Sequence, residues 1–565
     1  MTAGARRLFA ALAILLLPAV AAAQIPQSEL PGRERQRFIE PQAPRAQPGG
    51  DTISLPSTVA PPGAEKITLT ISRVVVTGAT VYNDADLAPL YADLMGEEVS
   101  LAAVYELARR ITAKYGAAGY VLSRAIVPPQ NFGRHGAVIR IQVVEGYVDQ
   151  VIWPVEKLTR YRDFFTDYTA RITADRPANV RTLERYLLLA NDLPGLKFST
   201  TLKPSPTHPN ASILIVEVKE KMIDTIARID NRGTPARGPW QYLGSATFNN
   251  IAGSHEAFTA TYAGTFQFEE LQYLQATYRQ VLNSEGLTFF ANASYGIGKP
   301  GTALLRSLDY RTRSSVVEAG LTYPVIRTRE LNLLLTGLGF VTDDFSSQLG
   351  LPFTHDKLRG FRFKGDADWA DSFLGINQVN VTVSQGIKGL GSSDSGTGVP
   401  PPAGVAGPST NAGRVDFSKI ESTFSRLQPL WPRFSAFVAA YGQYAFTPLL
   451  VSEQCSYGGR FFGRAFDPSQ LLGDHCWAAL GELRYDFATP WKQLTRLQAY
   501  AYADHGEVWN IQPALGTPSS QSGTSVGLGV RAAWEDTYTA DLSVAKAVEG
   551  PRDDWRAFII LGAKH

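Results

Sequence analysis

The residue types that usually carry enzymatic chemistry are scattered along this chain of 565 residues. Its seven histidines are far apart, and none belongs to an HExxH motif or to a His/Cys cluster with metal-ligand spacing. Gly298-Lys299-Pro300 lacks the upstream glycine and the Ser/Thr of a phosphate-binding loop, and no GxSxG nucleophile elbow occurs. The sequence therefore predicts neither an enzyme nor a metal or cofactor site.

The charged residues that could form a site are concentrated in and after one glycine- and aromatic-rich segment, 447–488. Its loop motif consists of Gly463, Arg464, Ala465 and Phe466. The strand predicted after it places three charged residues on one face: Glu482, Arg484 and Asp486. Charge facing lipid costs about 2–4 kcal/mol at mid-bilayer, so in a membrane barrel this face must line the lumen. Asp504 follows on the lumen face of the next strand, within Asp504-His505-Gly506.

Cys455 and Cys476 are the two cysteines of the chain, and they flank the loop motif. An exported protein folds in an oxidising compartment, where a disulfide between them is favoured. It would close a loop of 22 residues and contribute roughly 3 kcal/mol by the chain-entropy estimate. The alternative is two independent buried thiols.

Composition excludes several classes of protein. The 54 Lys+Arg residues nearly balance the 52 Asp+Glu residues, which argues against a nucleic-acid-binding protein. No run of 18 apolar residues occurs, which excludes an α-helical membrane protein. Aromatic residues are concentrated after residue 222, as expected of a barrel whose lipid face is apolar and whose lumen is polar.

Residues 222–565 alternate apolar and polar side chains with the period of β-strands. We count sixteen such stretches, and the segment 376–386 (INQVNVTVSQG) is a clear example. The connections are short on one side, whereas those after strands 5, 7, 9, 11 and 13 are predicted to be long. An even strand number with this asymmetry predicts a transmembrane β-barrel of 16 antiparallel strands. A secreted β-sandwich is the alternative.

The N-terminal part of the chain divides into four regions. Residues 1–23 have the basic start, short apolar core and small-residue end of a secretory signal peptide. Residues 24–65 are rich in Pro, Gln and Arg and predict a linker with one short helix. Residues 66–146 and 147–221 each predict a small β-α-α-β-β domain, an internal repeat of structure.

These features together resemble the two-partner secretion transporters, the TpsB (ShlB/FhaC/HecB-like) branch of the superfamily that includes BamA. In that superfamily, the sixth extracellular loop carries Val-Arg-Gly-Phe/Tyr, and its arginine pairs with the aspartate of an Asp-x-Gly motif on strand 13. Residues 463–466 keep the arginine and the aromatic residue but replace Val and Gly, and residues 504–506 match Asp-x-Gly. The resemblance therefore implies an ion pair between Arg464 and Asp504.

Other segments carry the same resemblance. SELPGRERQRF at 28–38 is similar to the start of the family's plug helix, the two small domains look like POTRA domains, and 230–233 (Asp-Asn-Arg-Gly) matches a pattern at strand 1. The resemblance implies a location in the bacterial outer membrane, with the POTRA-like domains in the periplasm. Implied partners are a large TpsA-like exoprotein, outer-membrane lipid and, during biogenesis, the barrel-assembly machinery and periplasmic chaperones, but no nucleic acid.

The resemblance leaves three functions open. The first is export of one unfolded exoprotein that is captured by the POTRA-like domains. The second is an insertase for other outer-membrane proteins, although insertases of this superfamily tend to have three or five POTRA domains and no plug-type linker. The third is a passive porin or surface adhesin, which would leave two periplasmic domains unexplained.

Overall fold

A computed structural model describes residues 25, 27–38, 43–47, 59–131, 136–154, 156, 158, 162–402, 404–489, 491–513 and 518–565. The predicted signal peptide at 1–23 lies outside these residues. The first elements are a 3₁₀ turn at Gln27–Glu29 and helix α1, Glu34–Phe38. No helix in the described part of the chain is long and apolar enough to cross a membrane.

The first small domain packs helices against one face of a four-stranded sheet with the order β2-β1-β4-β3. Its elements are β1 Thr68–Thr77, α2 Asp84–Leu87, 3₁₀ turns Ala88–Leu90 and Ala92–Leu94, β2 Glu98–Ser100, α3 Leu101–Ala117, β3 Arg124–Ile126 and β4 Ala137–Val144. Alternate residues of β4 are buried because the helices cover only one face of the sheet. The Ser100 hydroxyl caps α3 by accepting from the Ala103 N–H at 3.3 Å.

Glu145, directly after β4, links the connection between β1 and α2 to helix α3. Its carboxylate accepts hydrogen bonds from the Tyr115 hydroxyl at 2.8 Å and from the Thr80 N–H at 2.7 Å. Burial raises the pKa of Glu145, but these hydrogen bonds outweigh it and hold the pKa below its ordinary value. The carboxylate is therefore a structural acceptor in its ionised form.

The second small domain has a three-stranded sheet with the order β5-β7-β6, in which β5 and β7 are parallel. Its elements are β5 Tyr147–Ile152, α4 Arg162–Ala174, α5 Val180–Asn191, β6 Leu196–Pro204 and β7 Ala211–Glu220. Trp153, Phe165 and Tyr168 pack together in its core. Strand β6 lies at the edge of the sheet, so its outer hydrogen-bonding side has no partner strand in the described sheet.

The remainder of the chain forms a closed barrel of sixteen antiparallel strands, as predicted. The strands are β8 Ile223–Asp230, β9 Gln241–Asn249, β10 Glu256–Thr265, β11 Gln272–Val281, β12 Thr288–Gly298, β13 Arg311–Arg327, β14 Leu331–Gln348, β15 Leu351–Ala370, β16 Ile376–Gly386, β17 Ser418–Trp431, β18 Phe434–Ala445, β21 His475–Asp486, β22 Leu494–Trp509, β23 Ser520–Trp534, β24 Tyr538–Glu549 and β25 Trp555–Lys564. The last strand closes the barrel by pairing with the first, from Ile560↔Asp230 to Lys564↔Ile226.

The outer surface of the barrel is apolar and the lumen is polar. On β23, for example, Leu528 is 59% exposed, whereas Ser525 on the other face is fully buried. A row of exposed leucine, phenylalanine and tryptophan side chains around a closed sheet would be unstable in water but is stable in lipid. The fold is therefore a transmembrane β-barrel preceded by POTRA-like domains.

One predicted connection is wrong. The sequence predicts a long connection after the seventh barrel strand, but that strand, β14, is joined to β15 by Leu349 and Gly350 alone. Both strands are longer than a bilayer requires. In the parts next to this turn, the outward-facing residues contact water rather than lipid. The apolar alternation is consequently lost in sequence although the hydrogen-bonded ladder continues. The longest connections are 387–417 and 446–474, which follow the ninth and eleventh barrel strands, where the sequence predicts long connections.

The second small domain rests on one end of the barrel, which we call the domain-side rim; the other end is the distal rim. Arg185 of α5 forms an ion pair with Glu285 in a barrel turn at 3.1 Å. Asp192, directly after α5, accepts two hydrogen bonds from the Arg327 guanidinium at 2.7 and 3.0 Å. These charged contacts fix the domain at the mouth of the lumen.

Candidate functional site

The N-terminal segment 27–38 lies inside the barrel and fills the distal half of its lumen. Glu29 is buried against the 231–240 connection, where its carboxylate pairs with the Arg237 guanidinium at 2.8 Å and accepts from the Thr234 hydroxyl at 3.1 Å. Both charged side chains are 1% exposed. Removing one member of such a buried pair costs about 3–5 kcal/mol, because the other charge stays desolvated.

Arginines of the same segment bind the lumen wall and the long connection 446–474. Arg35 pairs with Glu318 of β13 at 2.9 Å. Arg33 donates hydrogen bonds to the carbonyl oxygens of Val451 and Gln454. Segment 27–38 is thus held largely by polar and charged contacts, rather than by a continuous apolar core.

The connection 446–474 folds back into the lumen instead of extending into solvent. A short hairpin of β19, Cys455–Tyr457, and β20, Leu471–Gly473, forms its base. The structure has a disulfide between Cys455 and Cys476, with a Cα–Cα distance of 6.3 Å. Because Cys476 belongs to barrel strand β21, this bond fixes the base of the loop to the wall.

Asp504 on β22 accepts four hydrogen bonds, three from the folded-in loop and one from the neighbouring wall strand β23. Its carboxylate accepts from the N–H groups of Gly463 at 2.9 Å and Arg464 at 3.4 Å. It also accepts from the hydroxyls of Tyr457 at 2.5 Å and Ser525 at 2.7 Å. A carboxylate accepting this many donors positions the turn of the loop, including Gly463, whose φ of 68° suits glycine.

Glycines in the wall make room for the loop's aromatic residues. A Cβ added to Gly506 would lie 2.3 Å from Cδ2 of Tyr457. A Cβ added to Gly523 would lie 2.9 Å from both Tyr457 and Phe466. Phe466 is 1% exposed as a result. The glycine of the Asp-x-Gly motif therefore has a steric role that complements the aspartate two residues earlier.

The predicted acidic partner of Arg464 is wrong. Its guanidinium pairs with Glu482 of β21 at 2.5 Å and stacks over the Tyr502 ring at 4.4 Å. Asp504 contacts only the Arg464 main chain, because its oxygens are already occupied by the loop N–H groups and the two hydroxyls. Arg464 and Asp504 therefore lie in the same site but do not pair through their side chains: Asp504 binds the loop main chain, and Glu482 binds the Arg464 guanidinium.

Glu482 is the centre of an arginine cluster on the lumen wall. Besides Arg464, its carboxylate pairs with Arg484 at 2.7 Å and with Arg531 at 2.7 Å. Glu482 and Arg484, the first two residues of the predicted lumen-facing row, thus belong to the same cluster. Asp486 continues this row toward the domain-side rim, where it accepts a hydrogen bond from Gln498 at 2.9 Å.

Sequence reasoning missed several members of this site. Tyr457, Ser525 and Arg531 were not identified, although the alternation of β23 already places Arg531 on the lumen face. That signal was available, because a lone arginine in a lipid-facing register would be costly. The contacts of the plug segment with Arg237 join residues about two hundred positions apart, and no local pattern indicates them.

Two protein families match parts of this chain. Residues 69–146 match the family described as POTRA domain, ShlB-type. Residues 371–531 match the haemolysin secretion/activation protein family ShlB/FhaC/HecB, and this range contains the loop motif and Asp504.

Similar proteins cover more of the chain at low identity. Outer membrane transporter CdiB of Escherichia coli is 23% identical over 536 residues, covering 86% of this chain and 84% of that protein. Heme/hemopexin transporter protein HuxB of Haemophilus influenzae is 24% identical over 301 residues, covering 53% of this chain and about half (52%) of HuxB. The solved structure of CdiB from Escherichia coli aligns with a TM-score of 0.70 at 19% identity and covers 94% of this chain and 96% of that chain. The chain therefore matches ShlB-type families over residues 69–146 and 371–531, and it has the fold of the solved CdiB structure.

Proposed function

We propose that this protein is an outer-membrane translocator that captures one unfolded exoprotein in the periplasm and exports it through its barrel, as in two-partner secretion. The observation that carries the proposal is a closed barrel whose lumen holds two elements bound to the wall by ion pairs, the plug segment 27–38 and the folded-in loop 446–474. A passive porin would have no use for a plug that is fastened by so many buried ion pairs. The POTRA-like domains lie on the periplasmic side.

The site residues have distinct roles in this proposal. Asp504 and Gly506 hold the loop turn, and Glu482 holds the Arg464 side chain, so the loop is retained at the wall. The disulfide keeps the base of the loop attached while its tip moves. Release of the plug then opens a polar path, which suits an unfolded chain because its peptide groups remain hydrated.

We also propose that the chain divides into a signal peptide at 1–23, a plug and linker at 24–65, POTRA-like domains at 66–146 and 147–221, and the barrel at 222–565. Capture would use the open edge of a POTRA-like sheet, to which an extended substrate segment adds a strand. Strand β6 offers such an edge. With no nucleotide site predicted, folding of the substrate at the cell surface supplies the driving force, and no catalytic step is required.

A comparison of culture supernatants tests this function. Cells with and without the gene, and cells complemented with it, are compared for secreted proteins and for the composition of the outer membrane. The proposal predicts that one large protein disappears from the supernatant and returns on complementation. An unchanged supernatant with many outer-membrane proteins depleted would instead indicate an insertase, and no change in either fraction would indicate a porin or adhesin.

A further inference from the structure

A cavity of about 460 Å³ lies in the lumen between the plug segment, the tip of the folded-in loop and the wall formed by β18 and β21–β25. Six arginines line it: Arg37, Arg232, Arg460, Arg464, Arg484 and Arg531. They come from all three elements, since Arg37 belongs to the plug and Arg460 to the loop. The cavity is therefore formed only while plug and loop are both in place.

The carboxylates around this cavity do not balance its positive charge. Glu482 is shared by three of the six guanidinium groups, and Asp541, a carboxylate that lines the cavity, pairs with one of the same three, Arg531, at 3.0 Å. Asp230, which pairs with Arg460 at 3.4 Å, is also bound by Arg228 at 3.1 Å. Glu29, which pairs with Arg37 at 3.5 Å, is bound more closely by Arg237. Cationic side chains thus outnumber the acidic groups that contact them.

Two of the lining arginines also have buried N–H groups that lack an acceptor among the described residues. These groups are Nη1 of Arg37 and Nε of Arg232. The side chain of Arg37 is 1% exposed, and Arg232 is 6% exposed. A buried donor without an acceptor destabilises the folded state, and the effect is larger when the donor is charged. These arginines thus have more donors than the protein supplies acceptors for, and an anion in the cavity would offset the positive charge around it.

We propose that this cavity binds an oxyanion of the phosphate class, which bridges the plug, the loop and the wall in the closed state. Guanidinium groups present paired N–H donors that match the oxygens of phosphate. A tetrahedral phosphate also offers more acceptors than a single carboxylate, which suits donors that converge from three directions. The bound group is either free phosphate or the phosphate of a lipid headgroup. Its role in closing the channel rests on the proposed export function, whereas the binding itself does not.

The test uses the full-length protein, purified in detergent and freed of phosphate. Thermal unfolding is followed while inorganic phosphate is added, with chloride at equal ionic strength as the reference, and native mass spectrometry of the untreated protein detects phosphorylated lipid. We expect a saturable rise in Tm with phosphate, since a ligand that binds only the folded state stabilises it. Arg232→Gln should weaken phosphate binding about tenfold, because a charge-assisted hydrogen bond is lost.

Two further variants keep the result interpretable. Arg484→Gln tests the same cavity if Arg232→Gln does not fold, since Glu482 keeps two other arginines. Arg109→Gln, on the first POTRA-like domain, removes the same charge outside the barrel and should respond to phosphate like the wild type. A bound phosphorylated lipid that is present in the wild type and absent from the cavity variants supports the site with a lipid source. No phosphate response and no bound lipid, or equal binding by the cavity variants, overturns the proposal; an unchanged supernatant would refute only the export function.

Discussion

Gly506→Ala tests whether the folded-in loop is held by close packing against the wall. The substitution adds one methyl group and removes no charge or hydrogen bond. The new Cβ would lie 2.3 Å from Cδ2 and 2.7 Å from Cε2 of Tyr457, well inside contact distance. The ring has little freedom to move away, because its hydroxyl is bound to Asp504. We therefore expect the loop, rather than the barrel strand, to give way.

The size of the effect follows from this overlap. Overpacking of this kind costs about 1–3 kcal/mol. Because 1.4 kcal/mol corresponds to a factor of ten in an equilibrium, the population with a released loop should rise about 5- to 150-fold. The barrel itself should fold normally, since its ladder and its outer surface are untouched.

Trypsin added to intact cells measures this population, because it cleaves after Arg464 only when the loop leaves the lumen. In the wild type Arg464 is 7% exposed and should resist cleavage. Gly481→Ala is the matched control, since a Cβ added to Gly481 meets nothing within 4 Å. The double variant Gly506→Ala/Tyr457→Ala should release the loop no more than Tyr457→Ala alone, because the clash needs the ring.

A specific result would refute this reasoning. If Gly506→Ala is cleaved at the wild-type rate while its barrel is present at the wild-type level, the loop is not held by contact with this glycine. Equal release in Gly481→Ala would show a general effect of strand substitution.

Three other substitutions have definite expected outcomes. Arg464→Ala should reduce secretion strongly while barrel levels stay normal, because Glu482 keeps two other arginines; normal secretion with normal barrel levels would exclude a role for the loop arginine. Asp192→Asn should increase channel openings in planar bilayers, because the Asp192 carboxylate joins the second POTRA-like domain to the rim and also pairs at 3.7 Å with the guanidinium of Arg45, which follows the plug segment in the chain; wild-type opening rates would show that this contact does not restrain the plug. Glu145→Gln should destabilise the first POTRA-like domain at neutral pH but not in acid. A carboxylate with a lowered pKa stabilises the fold above its ordinary pKa, near 4.5, and loses this contribution as the pH falls through the folded-state value. Hydrogen exchange of residues 68–144 measures this, and the same difference between wild type and variant at both pH values would contradict it.

The barrel could be predicted from the sequence because lipid imposes a strict alternation on each strand. Each of the sixteen strands overlaps a stretch that the alternation indicated, because side chains that face lipid must be apolar. The same reasoning failed at Leu349-Gly350, where the strands leave the membrane and the alternation is lost. Apolar–polar alternation arises from contact with lipid. It therefore identifies the part of a strand inside the membrane, but not the part that extends beyond it.

The candidate site was only partly predictable for a different reason. Glu482, Arg484 and Asp504 could be placed on the lumen face by the cost of charge in lipid. The partner of Arg464 could not, because two acidic residues on neighbouring strands were both within reach of a loop of undetermined path. The turn at Gly463 decides between the two acidic residues. It points the main-chain N–H groups of Gly463 and Arg464 toward Asp504 and the Arg464 guanidinium toward Glu482.

The central claim is that an exoprotein passes through the lumen of this barrel, and site-specific photocrosslinking tests it most directly. A photoreactive phenylalanine derivative is placed at Thr261, which faces the lumen beside the plug, or at Tyr262, the next residue on the same strand, which is 42% exposed on the lipid side. The account predicts that the probe at position 261 crosslinks to the secreted protein during export and that the probe at position 262 does not. Crosslinking from position 262 alone, or from neither position while secretion continues, would contradict passage through the lumen.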